Sequence, residues 1–148
     1  MNANLKYAER VAVLATLDPV SQGAATVVTA WVPTANFHRI AAVLETGAMT
    51  TGSTVDAKLR QATDASGTNA KDITGKAIAQ LVAASNGNNQ VVIECQSDDL
   101  DTNGGFAYVA LSITVGTAAS LIAAQLLGIN PRFAPASAFN QTGVKQLV

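Results

Sequence analysis

The residues best suited to chemistry lie in one short run, Asp99-Leu100-Asp101-Thr102-Asn103-Gly104. Oxygen-bearing side chains at alternate positions, followed by a glycine, are typical of the opening of a calcium-binding loop. Such a loop closes with a bidentate glutamate, which would fall at position 110, where this chain has Ala110. Aspartate and asparagine also favour solvated turns, because their side chains hydrogen-bond to the neighbouring backbone. We therefore predict a turn here, with no bound metal.

The acidic residues and the one lysine motif do not form an active-site pattern. Asp98, Asp99 and Asp101 crowd a single turn, whereas a glycosidase holds its two carboxyl groups on opposite sides of a cleft. The pair Gly75-Lys76 lacks both the upstream glycine and the following serine or threonine of a phosphate-binding loop. From these residues we predict no catalytic site, no cofactor and no enzymatic activity.

Histidine and cysteine each occur once in the chain, as His38 and Cys95. A lone histidine next to an arginine is more often a surface or turn residue than a general base. A lone cysteine can form no internal disulfide. Cys95 shares its phase with Val91 and Ile93, so we expect it to be a small buried apolar residue.

The composition is that of a building block rather than an enzyme. The 148 residues suit a single domain. Only 13% of them are charged, about half of the ~25% that is usual. A surface with so little charge is typically covered by copies of itself or by a partner, so we expect a homo-oligomer. The net charge of −1 offers no basic surface for nucleic acid, and the longest apolar stretch, 118–128, is too short to span a membrane.

Apolar and polar residues alternate over several segments, which indicates half-buried β-strands. The clearest are 54–60, 91–96 and 106–115. Their shared phase predicts one core, formed by Val55, Leu59, Val91, Ile93, Val109, Leu111 and Ile113. The opposite face of the last segment is the polar and aromatic one, with Phe106, Tyr108, Ala110, Ser112 and Thr114.

Further strands are predicted between turn signals such as Asp18-Pro19. They cover 10–17, 25–32, 37–46, 76–83 and 121–129. Two alanine-rich segments, 40–44 and 77–84, could form a helical turn instead, because alanine favours helices over strands. About eight strands at this spacing predict an all-β fold, a two-sheet antiparallel sandwich of jelly-roll type.

The alternation ends near Asn130, and Pro131 and Pro135 favour an extended path beyond it. The sequence therefore predicts two parts. A β-sandwich domain covers 1–129, and an extended C-terminal arm covers 130–148.

Three aromatic residues are candidates for partner binding. Phe133 and Phe139 on the arm either fill the domain's own core or anchor into a neighbouring subunit. Trp31, at the end of a predicted strand, is a core or interface anchor rather than a platform for a ligand. We predict Trp31, Phe133 and Phe139 as partner-binding residues.

Several longer segments carry a resemblance to a known group of proteins. The main one is Gln61-Ala62-Thr63-Asp64-Ala65-Ser66-Gly67-Thr68, followed by Ala70-Lys71-Asp72-Ile73-Thr74-Gly75-Lys76. The others are Tyr7-Ala8-Glu9-Arg10, Asn36-Phe37-His38-Arg39, Asp99-Leu100-Asp101 before Gly105-Phe106, and Pro131-Arg132-Phe133 with Pro135-Ala136-Ser137. Together they resemble small structural proteins encoded near the major capsid gene of tailed bacteriophages and gene-transfer agents. The likeness covers nearly the whole chain.

The resemblance implies a capsid-associated β-sandwich without catalytic residues. Its expected role is a head decoration or cement protein on the capsid surface of the virion, which binds the major capsid protein and stabilises the head. The chain would bind to copies of itself, with a trimer favoured. The alternatives within the virion are the base of a head spike and a neck or tail component. An alternative of another class is a carbohydrate-binding module for host attachment.

Overall fold

Ten β-strands make up most of residues 4–148, the part of the chain that the computed structural model describes. They are β1 Val11–Gln22, β2 Ala25–Val28, β3 Val32–Pro33, β4 Phe37–Met49, β5 Thr54–Ala62, β6 Lys71–Ala77, β7 Leu81–Val82, β8 Gln90–Gln96, β9 Tyr108–Gly116 and β10 Ser120–Pro131. One short helix, α1 Tyr7–Arg10, precedes them, and 3₁₀ helices cover Ser97–Asp99, Thr102–Gly104 and Ala136–Phe139. None of the helices in this range is long and apolar enough to cross a membrane.

The strands form two antiparallel sheets. Sheet A has the order β1-β10-β4-β8, and sheet B has the order β2-β9-β5-β6, with β3 also pairing β9 and β7 also pairing β5. The first and last strands are neighbours in sheet A, and β2 lies beside β9 in sheet B. This nesting of early strands against late ones is the double Greek key of a jelly roll. The predicted fold class is confirmed.

The core lies between the two sheets and follows the predicted phase. Val55, Leu59, Val109, Leu111 and Ile113 are completely buried, and Ile93 is nearly so. Val91 is the exception among the predicted core residues. It lies near the start of edge strand β8 and is only half-buried, although it packs against the core.

Strand β9 is buried on both of its faces over part of its length, which the alternation did not predict. Ala110 and Ser112 belong to the second face, and both are buried. Their partners across the ladder with β5 are Arg60 and Lys58. The long side chains of Arg60 and Lys58 cover the small side chains of Ala110 and Ser112 and shield them from water. These two residues are therefore buried although they do not face the core.

Two of the predicted strand limits are wrong because local chemistry interrupts or extends the ladder. Asp18-Pro19 does not end β1, since the strand runs through it with a register shift between Leu17 and Val20. Proline fits there because β1 is an edge strand and the shift leaves a ladder position unpaired. The predicted strand 25–32 is broken after Val28, where the Thr29 hydroxyl accepts a hydrogen bond from the N–H of Leu111 over 3.0 Å.

The predicted strand 76–83 is also wrong. Strand β6 starts earlier, at Lys71, and only Leu81–Val82 of the later residues pair, as β7. The start of β6 is polar and carries little alternation. Asp72 compensates for this, because it lies opposite Arg60 and forms ion pairs with Arg60 and Lys58.

The alanine-rich segment 40–44 is a strand and not a helical turn. It forms the middle of β4, paired on one side with β10 and on the other with β8. Ala41 and Ala42 are both buried there. Tertiary pairing on both sides outweighs the weak strand preference of alanine. The second segment, 77–84, contains no helix, but it ends in a turn in which the N–H groups of Ser85 and Asn86 both donate to the carbonyl of Val82.

The chain beyond β10 folds back along β1. The backbone N–H of Gln141 donates to the carbonyl of Val13 over 2.8 Å, and the N–H of Val13 donates to Oδ1 of Asn140 over 2.8 Å. Ala136 is fully buried in the core. Strand β10 itself continues to Pro131. The predicted division into a domain and an arm stays a prediction.

Candidate assembly surface

Phe139 packs into the end of the sandwich. Its ring meets that of Phe37 with the centroids 5.5 Å apart and the planes inclined by 76°. Phe37 in turn lies over Gly128, where a Cβ atom would come within 2.7 Å of the ring. The glycine therefore makes room for Phe37, and Phe37 supports Phe139. Of the two placements expected for Phe139, this chain on its own adopts the one in its own core.

Phe133 does not fill the core of its own chain and faces solvent, with 67% of its surface exposed. It lies in the link between β10 and the 3₁₀ helix Ala136–Phe139. Helix α1 contacts both of those elements, and it carries the exposed ring of Tyr7, preceded by the exposed Leu5. We call Leu5, Tyr7 and Phe133 the apolar end. Rings exposed in this way are typical anchors of protein interfaces.

Trp31 is half-buried and packs on the loop between β5 and β6. Its indole lies against Gly67, where a Cβ atom would clash with Nε1. The loop is held by Asp64, whose Oδ1 accepts hydrogen bonds from the N–H groups of Ser66 at 2.8 Å and Thr68 at 3.1 Å. Hydrogen bonds from Thr68 are the main cause that lowers the pKa of Asp64. Trp31 thus supports a rigid turn within its own chain.

Two lysines form ion pairs with acidic residues of the calcium-like run, Asp99–Gly104. Nζ of Lys76 lies 3.1 Å from Asp99, and Nζ of Lys71 lies 2.6 Å from Asp101. Partial burial raises the pKa of Asp99, but the N–H of Gln96 and the Lys76 ammonium outweigh it and lower that pKa. The pKa of Asp101 is lowered first by Lys71. Within residues 4–148, no group of three or more histidine, cysteine or acidic side chains is placed to hold a metal ion.

Polar residues of the segment 61–76, the longest one in the sequence resemblance, make contacts within the chain. Asp72 binds Nζ of Lys58 at 2.6 Å and Nε of Arg60 at 3.1 Å. Lys71 also lies over the ring of Phe106, 4.2 Å from its centroid. Oε1 of Gln61 accepts the N–H of Asp101 over 2.8 Å. These contacts join β5, β6 and the turn before β9 into one unit.

The single cysteine and the single histidine lie in different environments. Cys95 is buried in β8, and burial is the main cause that raises the pKa of its thiol to about 12. A thiol with such a pKa is protonated at neutral pH and is a weak nucleophile. His38 is exposed at the start of β4.

Two grooves lie on the outer side of sheet A, on either side of the Pro19 irregularity in β1. Their volumes are about 240 and 420 Å³. Both are lined in part by Glu45 and Ala123, and the larger one also by Leu121. No aromatic side chain lines either groove. Sugar-binding clefts commonly present aromatic rings, so these grooves lack the feature that would favour a carbohydrate-binding module.

No protein-family model matches the chain, and no curated protein matches its sequence. The fold of the chain is similar to that of several solved structures, among them the following three. A chain of the cowpea mosaic virus top component, described as naturally occurring empty particles, is 10% identical, with 91% of this chain and 95% of that chain covered and a TM-score of 0.43. A chain of Triatoma virus is 9% identical, with 95% and 74% covered and a TM-score of 0.47. A chain described as CBM4 is 16% identical, with 81% and 79% covered and a TM-score of 0.42. The jelly-roll assignment rests on the strand order and not on these likenesses.

Sequence reasoning missed most of the exposed apolar residues that the fold displays. Leu5 and Tyr7 precede the first strand, where no alternation marks a face. Val92 lies on the outer phase of β8 and is 62% exposed. The sequence does place Val92 on the outward face, because it alternates with Val91, Ile93 and Cys95, but a single outward valine is common and does not by itself mark an interface.

Proposed function

We propose that this chain is a non-enzymatic structural protein of the virion of a tailed bacteriophage. In this proposal it decorates the capsid surface, binds the lattice of the major capsid protein and stabilises the head. The proposal starts from the sequence segments that resemble capsid-associated phage proteins along nearly the whole chain. The base of a head spike and a neck or tail component are the other positions that the same resemblance allows.

The observation that carries the proposal is the apolar end. Leu5, Tyr7 and Phe133 are exposed there, and Tyr7 and Phe133 are the two exposed aromatic side chains within residues 4–148. Complete burial of a fully exposed leucine or phenylalanine side chain is worth about 1.5–3 kcal/mol, and these partly exposed side chains gain a part of that. A partner surface that covers them recovers that free energy. We assign this end to contact with the capsid protein, through Phe133 in particular.

The distribution of polar groups supports a rigid body rather than a reactive site. Asp72, Asp99 and Asp101 are each held by one or two cationic side chains of the same chain. Within residues 4–148, no buried polar side-chain atom lacks a hydrogen-bond partner. Polar groups that are satisfied in this way make a fold rigid.

Self-association is part of the proposal, with a trimer as the expected state. Several copies around an axis multiply a weak contact with a lattice, because the second and third contacts form at high effective concentration. Trp31 and Phe139, which pack within their own chain in isolation, remain proposed contributors to the contact between copies.

The test uses capsids of the parent phage from which the gene for this chain has been deleted. Purified chain is mixed with these heads, which are then pelleted and heated. We expect the wild-type chain to pellet with the heads and to raise the temperature at which they rupture. Phe133→Glu, at an exposed position, should keep the fold and lose most of the pelleting.

Val82→Glu is the matched control, because Val82 is an exposed apolar residue of β7 in the other sheet. It should pellet like the wild type. If the wild-type chain does not bind the heads, or if Phe133→Glu and Val82→Glu bind equally well, the proposed contact is wrong. An image reconstruction of the parent particle then distinguishes the head surface from a spike base, neck or tail position.

A further inference from the structure

Three of the four sheet edges are closed to further pairing. The β1 edge contains Pro19 and two register shifts, and Asn140 and Gln141 bond to its backbone. The edge next to β9 consists of two short strands, of which β3 ends in Pro33. The edge next to β5 is divided between β6, which has a register shift, and the two-residue β7. These are the usual devices that prevent a sheet from adding strands.

The fourth edge, β8, has no proline, no register shift and no division into short strands, and the bond of Asp99 to its backbone lies at its last residue, Gln96. It pairs with β4 over seven residues, from Gln90 to Gln96, without a register shift. It contains no proline, glycine or lysine. A regular, uninterrupted edge strand of this length is a template for pairing with another strand.

The hydrogen bonds of β8 show which of its backbone groups are free. The N–H of Thr46 donates to the carbonyl of Asn89 over 2.8 Å, just beyond the pair Glu45 and Gln90. In an antiparallel ladder this bond marks Glu45–Gln90 as a pair that exchanges no hydrogen bonds, and such pairs alternate with bonded ones. Positions 91, 93 and 95 therefore bond to β4. Positions 90, 92, 94 and 96 point their N–H and C=O groups to the free edge.

At one of these four residues, the outward N–H already has a hydrogen-bond partner. The N–H of Gln96 donates to Oδ2 of Asp99 over 2.9 Å, which agrees with the assigned phase. Gln90, Val92 and Glu94 remain as three successive edge residues whose N–H and C=O groups lack a strand partner. Val92 lies at the middle of the three.

The side chains of these residues are self-complementary. When the strand is paired antiparallel with itself about Val92, each Gln90 faces the Glu94 of the other copy and the two valines face each other. An amide opposite a carboxylate avoids like-charge repulsion. Glu94 also lies 3.6 Å from Arg39 of its own chain. Val43 is the neighbour of Val92 in β4, so the pairing extends an apolar row across both copies.

We propose that β8 is a pairing edge for a second copy of this chain. The two β8 strands lie antiparallel about a two-fold axis at Val92, and the two four-stranded sheets join into one. The contact is isologous, since the same residues serve both copies. It joins copies in pairs and is compatible with a three-fold contact elsewhere on the body. It does not depend on the proposed function.

Cysteine crosslinking tests the register directly. Val92→Cys places two thiols opposite each other across the axis, at a Cα separation of about 5.5 Å for a bonded pair, which lies within the range that a disulfide spans. We expect mild oxidation to join most chains in pairs on a denaturing gel. Val28→Cys, at an exposed valine of β2 in the other sheet, is the control and should not crosslink. The native Cys95 is buried.

Val92→Lys tests the contact without crosslinking. Two lysines at the axis repel each other, and a lysine on an edge opposes pairing. The mass of the chain in solution, measured by sedimentation, should fall by half relative to the wild type, while the melting temperature shows that the domain remains folded. Val28→Lys should leave the mass unchanged.

The proposal is overturned if the wild-type chain is monomeric at high concentration, if Val92→Lys keeps the wild-type mass, or if Val92→Cys and Val28→Cys crosslink to the same small extent. None of these measurements uses capsids. A failure here is therefore separate from a failure to bind heads.

Discussion

The ring of Phe139 meets that of Phe37 edge to face, with 5.5 Å between the centroids. Phe37 begins β4, and Phe139 ends the 3₁₀ helix of the C-terminal segment. An aromatic pair of this kind contributes about 0.5–1.5 kcal/mol beyond the area that it buries. The contact joins the 3₁₀ helix Ala136–Phe139 to the interior between the sheets. The C-terminal segment is therefore a stabilising element of the isolated chain.

Phe139→Ala should lower the free energy of unfolding by about 2 kcal/mol, less than the 3–5 kcal/mol of a fully buried phenylalanine because Phe139 is only half-buried. Phe133→Ala removes a ring that is 67% exposed and should change the free energy by no more than about 0.5 kcal/mol. Urea denaturation measures both. Equal effects of the two substitutions would contradict the packing described here.

Leu111→Ala tests the core that the two sheets share. Leu111 is completely buried in β9, opposite Leu59 of β5. The substitution should cost about 2–5 kcal/mol, because the lost transfer free energy adds to that of the cavity. Leu147→Ala, at an exposed position near the end of the chain, should stay within about 0.5 kcal/mol. If Leu111→Ala lowers the free energy of unfolding no more than Leu147→Ala does, Leu111 is not part of the core.

The core residues could be predicted from the sequence because strand periodicity is local. Val55 and Leu59, or Val109 and Leu111, reveal their common face within a few residues of each other. Strand limits depend on distant partners instead. Thr29 breaks a strand by bonding to Leu111, 82 positions away, and nothing near Thr29 in the sequence marks that partner.

The candidate assembly surface could be predicted only in part, for the same reason. Phe133 and Phe139 look equivalent in the sequence, since both are single rings in a segment with two prolines. What separates them is Phe37, which receives Phe139 after the chain has folded back along β1. The ion pair between Lys71 and Asp101 joins residues 30 positions apart. Its effect on the calcium-like run follows from the tertiary structure alone.

The ion pairs of Asp72 predict a dependence of stability on pH. Hydrogen bonding to Lys58 is the largest cause that lowers the pKa of Asp72 below its ordinary 3.8. In the folded state Asp72 therefore stays ionised at pH values where the unfolded chain has bound a proton. Its contribution to stability is present above about pH 3.8 and is lost as the pH falls through the lower folded pKa.

The free energy of unfolding should therefore fall as the pH is lowered below that value, and Asp72→Asn should make the fall shallower. The side chains of Asp72 and Lys58 are about half exposed. At neutral pH, the free energies of unfolding of the wild type and Asp72→Asn should therefore differ by about 0.2–1 kcal/mol. Asp98→Asn is the control, because Asp98 is exposed and takes part in none of the ion pairs found within residues 4–148. Identical acid profiles for Asp72→Asn and the wild type would remove this role from Asp72.

Gly67→Ala tests whether Trp31 holds the loop between β5 and β6. Gly67 has φ +83°, which disfavours any residue with a Cβ atom, and that atom would lie 2.8 Å from Cε2 of Trp31. Two costs therefore combine, the backbone strain of about 1–2 kcal/mol and the displacement of the indole. Gly52→Ala separates them, because Gly52 also has φ +83° but has no atom within 4 Å of the added Cβ. We expect Gly67→Ala to destabilise more than Gly52→Ala and, alone of the two, to shift the fluorescence of Trp31, the chain's only tryptophan. Equal losses of stability with an unchanged emission spectrum would mean that the indole does not rest on Gly67.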